Sequence, residues 1–409
     1  MHAPRVSFAR LRSRLDALAE LGATEGGGSC RLALTDADKQ GRDLVVTWMR
    51  DLGLRVDIDG IGNVVGTWPA DRDEPPVLLG SHIDTVATGG IYDGCLGVLA
   101  GLEVVETLIT EGVEPAHPVA VAFFTDEEGS RFAPDMLGSL VFAGGMAVED
   151  ARSVVGVDGA VLGDELDRIG YAGSAPCPAP PPRAYLELHI EQGPVLEAEG
   201  ITIGAVTGVQ AISWTEIVVE GQSNHAGTTP MDLRHDAGYV AARIATQVRD
   251  LVAKAGPPQV GTVGRIELHP NLVNVVAARA TLTVDLRNTD ERVLSEVERE
   301  LADQVDQLAA AEGVTIRRRR LAQFAAVAFD EALVAMVEEV AAAHGHSVRR
   351  LPSGAGHDAQ MLARVCPSGM VFVPSVKGIS HNPAEHTDDA DLEAGANVLL
   401  ECVLRLVRP

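Results

Sequence analysis

The chain has 409 residues, 46% of them hydrophobic, and carries 33 Lys and Arg against 58 Asp and Glu, for a formal net charge of -25. An average field of that sign repels nucleic acid and anionic membrane surfaces, so neither is expected as a partner. The length exceeds the ~100–200 residues of one domain and leaves room for two.

The N-terminal "MHAPRVSFARLRSRLDALAEL" lacks the apolar core of a signal peptide, and no run approaches the ~18 apolar residues that span a bilayer. Five scattered cysteines, without a C-x-x-C pair, suggest neither a disulfide framework nor a thiolate zinc site. A cytoplasmic protein is expected.

The first half alternates helical and strand-like patterns. "LVVTWMRDLGL" has helical spacing, "PPVLLGSH" and "PVAVAFFTD" read as buried strands, and "GCLGVLAGLEVVETLITEG" between them puts Leu99, Leu102, Val105 and Ile109 on one helix face. Strand, helix, strand implies a parallel α/β sheet with right-handed crossovers, whose ligand site lies beyond the carboxyl ends of the strands. A proline-rich link, "SAPCPAPPPR", leads to another strand, "AYLELHIEQG".

From about Gly208 the style changes. "AISWTEIVVEG", "DAGYVAARIATQVRDLVAKAG", "VGTVGRIEL", "NVVAARATLTVDLRN", "ERVLSEVERELADQVDQLAAAEG" and "VTIRRRR" read β-α-β-β-α-β, a split ferredoxin-like unit. The remainder holds a helix ("DEALVAMVEEVAAAHG"), a turn-rich "PSGAGHDAQM", a strand ("GMVFVPS") and a closing helix. The expected fold is therefore α/β: a discontinuous domain with a mostly parallel sheet, residues 1–207 and 321–409, and an inserted α+β domain, 208–320.

The chemistry gathers at predicted strand ends. His82 and Asp84 follow "PPVLLGSH", Asp93 sits behind two glycines in "GGIYDGCLG", and Asp126, Glu127 and Glu128 close "VAVAFFTDEEG". His189 ends another strand and His381 lies in "GISHNPAEHT". Each residue has an ordinary alternative: a structural histidine, a helix N-cap for Asp93, a solvated acidic turn for the glutamates. Together they are imidazole and carboxylate donors suited to a divalent ion, and a carboxylate that bridges two ions makes a two-metal site. Asp93 is the candidate bridge. Because successive strand residues point to opposite sides, Glu127 and Glu128 can divide the roles of base and ligand.

"GSHIDTV", "GGIYDGCLG", "DEEGSRF", "LHIEQGPVLE", "NHAGTTPM", "NLVNVV…VDLR", "GAGHDA" and "SHNPAE" run in order over nearly the whole chain. This set resembles the dinuclear-metal amidohydrolase branch of the aminoacylase/carboxypeptidase (peptidase M20) superfamily. That branch includes N-carbamoyl-L-amino-acid hydrolases, β-ureidopropionases and allantoate amidohydrolases. "EEGSRF" and "HIEQGP" point to this branch rather than to the peptidases.

The resemblance implies that His82, Asp93, Glu128, His189 and His381 bind two divalent ions, zinc first, with manganese, cobalt or nickel also suited to these ligands. It makes Glu127 the general base and Asp84 the group that orients His82. It implies that His225 reaches a neighbouring active site across a homodimer formed by the inserted lid domain and stabilises the oxyanion. Gln192, Asn274 and Arg287 would hold a small carboxylate-bearing substrate, with Gly356 and His357 lining the pocket. Arg287 has a competing expectation, an ion pair with Asp285 two residues earlier. Ala277, where relatives carry proline, and Asn224, where a small residue is common, depart from the pattern; Ala277 is expected to loosen the loop that presents Asn274.

The expected reaction is hydrolysis of an N-carbamoyl-L-amino acid to the amino acid, carbon dioxide and ammonia, with allantoate or 3-ureidopropionate as alternative substrates. An N-acyl-amino-acid deacylase or dipeptidase ranks below these. A metal-free binding dimer would require a lost ligand or base, and none is lost.

Overall fold

The computed structural model describes residues 4–408 and divides into two compact units, one comprising the chain up to Gly208 and from Ala328, the other Val209–Val327. The strands in chain order are β1 (Arg55–Ile58), β2 (Val64–Trp68), β3 (Val77–His82), β4 (Val119–Phe124), β5 (Ala184–Ile190), β6 (Ile203–Val209), β7 (Ala211–Glu220), β8 (Val260–His269), β9 (Arg279–Asn288), β10 (Thr315–Phe324), β11 (Val327–Ala328), β12 (Val348–Ser353) and β13 (Ser368–Val373).

The first unit is built on one sheet, ordered β1-β2-β4-β3-β5-β13-β6-β11 with β12 paired to β6. Its centre, β4-β3-β5-β13, is parallel, and the flanking pairs β1/β2, β2/β4 and β13/β6 are antiparallel. Every residue of β3, β4, β5 and β13 is buried, as expected for continuous apolar strands covered on both faces. The registers pair His82 with Phe124 and His189 with Phe372, so the carboxyl ends of all four strands open on one side.

The helix Cys95–Thr110 corrects one expectation. It buries Val98, Val104 and Leu108 as well as Leu99, Leu102 and Val105, leaving Ile109 only partly covered. It packs on β3, β4 and β5 and also against the helices Phe8–Ala19 and Asp389–Val407, so a single apolar stripe does not suffice.

The second unit is a four-stranded antiparallel sheet, ordered β10-β7-β9-β8, with two helices, Ala237–Ala255 and Glu291–Glu312. Along β9 burial alternates, and Ala280, Leu282, Val284 and Leu286 meet Val240, Ile244, Val248, Leu301 and Val305. The β-α-β-β-α-β order is the one read from the sequence. The boundary moves, because β10 continues to Phe324 opposite Ile212 instead of stopping near residue 320. Among the described residues no helix is long and apolar enough to cross a membrane.

Candidate metal centre and active site

The four parallel strand ends bring the sequence-selected donors together. His82 is the last residue of β3, His189 lies near the end of β5, and Glu127 and Glu128 follow β4. Asp93 comes from the loop after β3 and His381 from the loop after β13. Asp93 is not the N-cap of the helix that follows. Gly94 holds that position, with φ +65°, and a Cβ there would lie 2.4 Å from the His82 ring.

Two groups of three donors result: His82, Asp93 and His189, and Asp93, Glu128 and His381, each with ligand atoms within 4.8 Å of one another. Asp93 belongs to both. Its Oδ1 lies 3.1 Å from His189 Nε2 and 3.7 Å from His82 Nε2, while Oδ2 lies 3.4 Å from His381 Nε2. His381 Nε2 is also 3.3 Å from Glu128 Oε2, and Glu127 Oε2 is 3.3 Å from His82 Nε2.

Backbone carbonyls set the tautomers. Nδ1 of His82 lies 3.0 Å from the Asp84 carbonyl and Nδ1 of His189 lies 2.8 Å from the Ile190 carbonyl. A carbonyl only accepts, so each Nδ1 carries the hydrogen and each Nε2 presents its lone pair inward. Asp84 therefore meets His82 through its main chain. Its carboxylate instead accepts hydrogen bonds from the Glu127 and Glu128 amides, at 3.3 Å each. Asp126 adopts φ +58° at this turn and is fully buried, and burial followed by the charge of Asp84 pushes its carboxyl well above the usual range.

The electrostatics are those of a crowded acidic pocket. Burial, then Asp358 and Glu128, push Glu127 well above the usual carboxylate range; burial, then Asp93, does the same to Glu128. Burial lowers His82 to about 4; it acts the same way on His189, but the hydrogen bond and charge of Asp93 together with the charge of Glu187 outweigh it and carry that group up to about 9, the added proton lying on Nε2 toward Asp93, where a cation would take its place. Burial also opposes ionisation of Asp93, yet His189 and His381 hold it well below its usual value. Buried carboxylates beside inward-facing imidazole lone pairs fit a divalent cation, which neutralises the acids and uses the lone pairs at once.

Other expected residues fall as follows. Gln192, at φ +57°, donates from Nε2 to Asp93 Oδ2 at 2.8 Å. His357 is buried with its ring 4.6 Å from that of His189, and its Nε2 meets Ser353 Oγ at 2.8 Å. A Cβ on Gly356 would lie 2.8 Å from the methyl carbon of Met136.

His225, Asn274 and Arg287 belong to the second unit. His225 is exposed, its Nδ1 accepting from the Gly227 and Thr228 amides, and the Asn274 carbonyl accepts from the Ala226 amide. Ala277 does not loosen this loop: it is buried in the core of the unit, its carbonyl takes the Ala237 amide, and Val276 N–H bonds to the Asn224 carbonyl. Arg287 is ion-paired with Asp285 at 2.8 Å and packs over the Trp214 ring.

Three residues outside the sequence-based set also shape the site. Glu385 accepts the Tyr92 and Asp93 amides, and Ser380 donates toward both Asp93 and Glu385. Both lie within "SHNPAE", so the motif held the signal, but the chain separation from Asp93 hid the partner. Arg31 is fully buried and donates to the Ile83, Leu18 and Leu21 carbonyls, to Ser29 Oγ and to Cys95 Sγ. Nothing in the sequence around Arg31 marks it. A cavity of about 490 Å³ lies elsewhere in the same unit, between β1–β2 and the proline-rich segment, and none of the donors above lines it.

A parallel sheet whose strand ends converge histidines and carboxylates, with an α+β unit inserted in the chain, is shared with known hydrolases of C–N bonds. The chain belongs to the peptidase family M20/M25/M40, whose model matches residues 78–405. It is 42% identical over 401 residues to an N-carbamoyl-L-amino-acid amidohydrolase of Rhizobium meliloti, spanning 98% of this chain and 96% of that one. The allantoate amidohydrolase of Escherichia coli is 36% identical over 385 residues, 93% of this chain and 94% of its own. Among solved structures, an amidase of the hydantoinase/carbamoylase family from Burkholderia multivorans superimposes with a TM-score of 0.95 at 47% identity, covering 99% of both chains.

Proposed function

We propose that this protein hydrolyses the ureido C–N bond of an N-carbamoyl-L-amino acid, releasing the amino acid, carbon dioxide and ammonia, with two divalent ions bound, zinc first among them. The observation that carries the reading is the sharing of Asp93 between two donor groups, one oxygen directed to each. Ions held there, by His82, Asp93 and His189 and by Asp93, Glu128 and His381, supply Lewis acidity toward water and the scissile carbonyl.

The chain's own residues do the rest. Glu127, 3.3 Å from His82 Nε2, takes the proton of the attacking water and returns it to the leaving nitrogen. Gln192, with Asn274, contacts the substrate, and the planar guanidinium of Arg287 offers two parallel hydrogen bonds to its carboxylate. Gly356 and His357 form part of the pocket wall.

A homodimer through the second unit completes the reading, with His225 reaching a neighbouring active site to stabilise the oxyanion. Its support is the sheet edge: among the described residues β8 pairs with β9 alone, and Ile266 and Leu268 on it are 46% and 37% exposed. An apolar open edge of this kind is a surface for pairing with another chain.

Metal-reconstituted protein should release ammonia from N-carbamoyl-L-amino acids in parallel assays with allantoate, 3-ureidopropionate and an N-acetyl amino acid. Turnover of allantoate alone would make the protein an allantoate amidohydrolase and sink the carbamoylase assignment. Removing metal with a chelator should abolish turnover, and adding zinc or manganese should restore it.

A further inference from the structure

Glu385 is buried, at 6% exposure, beside the Tyr92–Asp93 main chain. Its Oε1 accepts the Tyr92 and Asp93 amides at 3.1 and 3.2 Å, and its Oε2 lies 3.1 Å from Ser380 Oγ. The same Ser380 hydroxyl lies 3.0 Å from Asp93 Oδ2, which already receives Gln192 Nε2 at 2.8 Å. Room for this carboxylate is made by Gly90, where a Cβ would stand 2.1 Å from Glu385 Oε1. That close approach explains the second glycine of "GGIYD".

The hydrogen count decides what the arrangement does. A serine hydroxyl has one hydrogen and a carboxylate oxygen has two lone pairs in its plane. Asp93 Oδ2 spends one lone pair on Gln192, and an ion shared with His381 and Glu128 requires the other. A hydrogen from Ser380 on the same oxygen would compete with that ion.

We propose that Glu385 is a positioning residue that draws the Ser380 hydrogen away from Asp93 and so keeps Oδ2 open for the ion at the His381–Glu128 half of the site. The inference rests on the reading that Asp93, Glu128 and His381 hold a metal. It makes Ser380 a switchable donor whose direction is fixed by its neighbour: with Glu385 the hydroxyl donates to Oε2, and without an acceptor there it donates to Asp93.

Glu385→Gln isolates this effect because the amide has the same shape and only one usable orientation. The Tyr92 and Asp93 amides require its oxygen, so its NH2 group faces Ser380 Oγ and leaves the serine hydrogen no acceptor except Asp93. The full-length protein is loaded with cobalt(II), and the ions retained per chain are measured against chelator-buffered free metal.

Glu385→Gln is expected to weaken one of two retained ions on the order of 10- to 100-fold. Ser380→Ala should bind both ions as the wild type does, and Glu385→Gln/Ser380→Ala should return to the Ser380→Ala value, since no hydrogen remains to redirect. Wild-type affinity in Glu385→Gln, a deficit that persists in the double variant, or loss of an ion in Ser380→Ala would each overturn the proposal. Failure of the wild type itself to retain two ions would overturn the two-metal reading and this inference with it, and the wild-type arm alone identifies that outcome.

Discussion

A carboxylate can serve as base, ligand or support depending on where its neighbours leave it, and the run Asp126-Glu127-Glu128 contains all three environments. The Asp84 carboxylate fixes the amides of both glutamates, Glu128 faces His381 and Glu127 faces His82. Asp126 is fully buried, and no metal-donor group among the described residues includes it. If Glu127 moves the proton while Glu128 holds metal, Glu127→Gln should lower kcat on the order of 10²–10⁴-fold with metal content unchanged. Steady-state kinetics with metal analysis checks this, and loss of metal from Glu127→Gln would exchange the two roles.

Loops that carry the donors are held by two arginines. Arg31 joins the Leu18 carbonyl at the end of the helix Phe8–Ala19 and the Leu21 carbonyl just beyond it to Ile83, between His82 and Asp84, and to Cys95, two residues after Asp93. Truncation in Arg31→Met strands several buried acceptors, at roughly 1–3 kcal/mol for each unsatisfied group. Its urea midpoint should fall sharply, and surviving folded protein should retain less metal.

Arg131, the arginine of "DEEGSRF", donates to the Ala33 carbonyl, Asp158 and Glu165. It is thus a tie from the acidic loop to the Ala33 main chain and to the segment that follows, with no place among the metal donors. Arg168 and then Arg131 hold the Glu165 carboxyl below its usual value. A group depressed in the folded state contributes stability above its unfolded pKa and loses it as pH falls through the folded one. Arg131→Met should therefore be less stable than wild type at neutral pH, and the gap should shrink as pH drops below about 4. Urea titrations at both ends of that range test the sign.

For the molecule as a whole, the proposed dimer makes the second unit part of catalysis. Ile266→Lys places a charge on the exposed apolar edge strand that also carries Leu268, and it should shift sedimentation from dimer to monomer. If His225 acts across the dimer, that monomer should keep its metal and lose turnover. A fully active monomer would remove His225 from the mechanism.

The central strands were legible in the sequence because parallel strands buried on both faces are continuous apolar runs, and β3, β4, β5 and β13 are such runs. The inserted unit was legible because β9 alternates cleanly and its helices are amphipathic. The strands β1, β2 and β12 were not, being short and less completely buried than the central four, so that their place depends on neighbours elsewhere in the chain. The same distinction holds at the site. Chemistry sets the donor types, so sequence alone marked the histidines and acids at the strand ends and, through their order, the family. Only the tertiary structure assigned one Asp93 oxygen to each donor group, showed the Asp84 carbonyl as the partner of His82 Nδ1, and brought Glu385 to the Asp93 amide, because local sequence does not fix side-chain direction and the longest of those contacts join residues almost 300 positions apart.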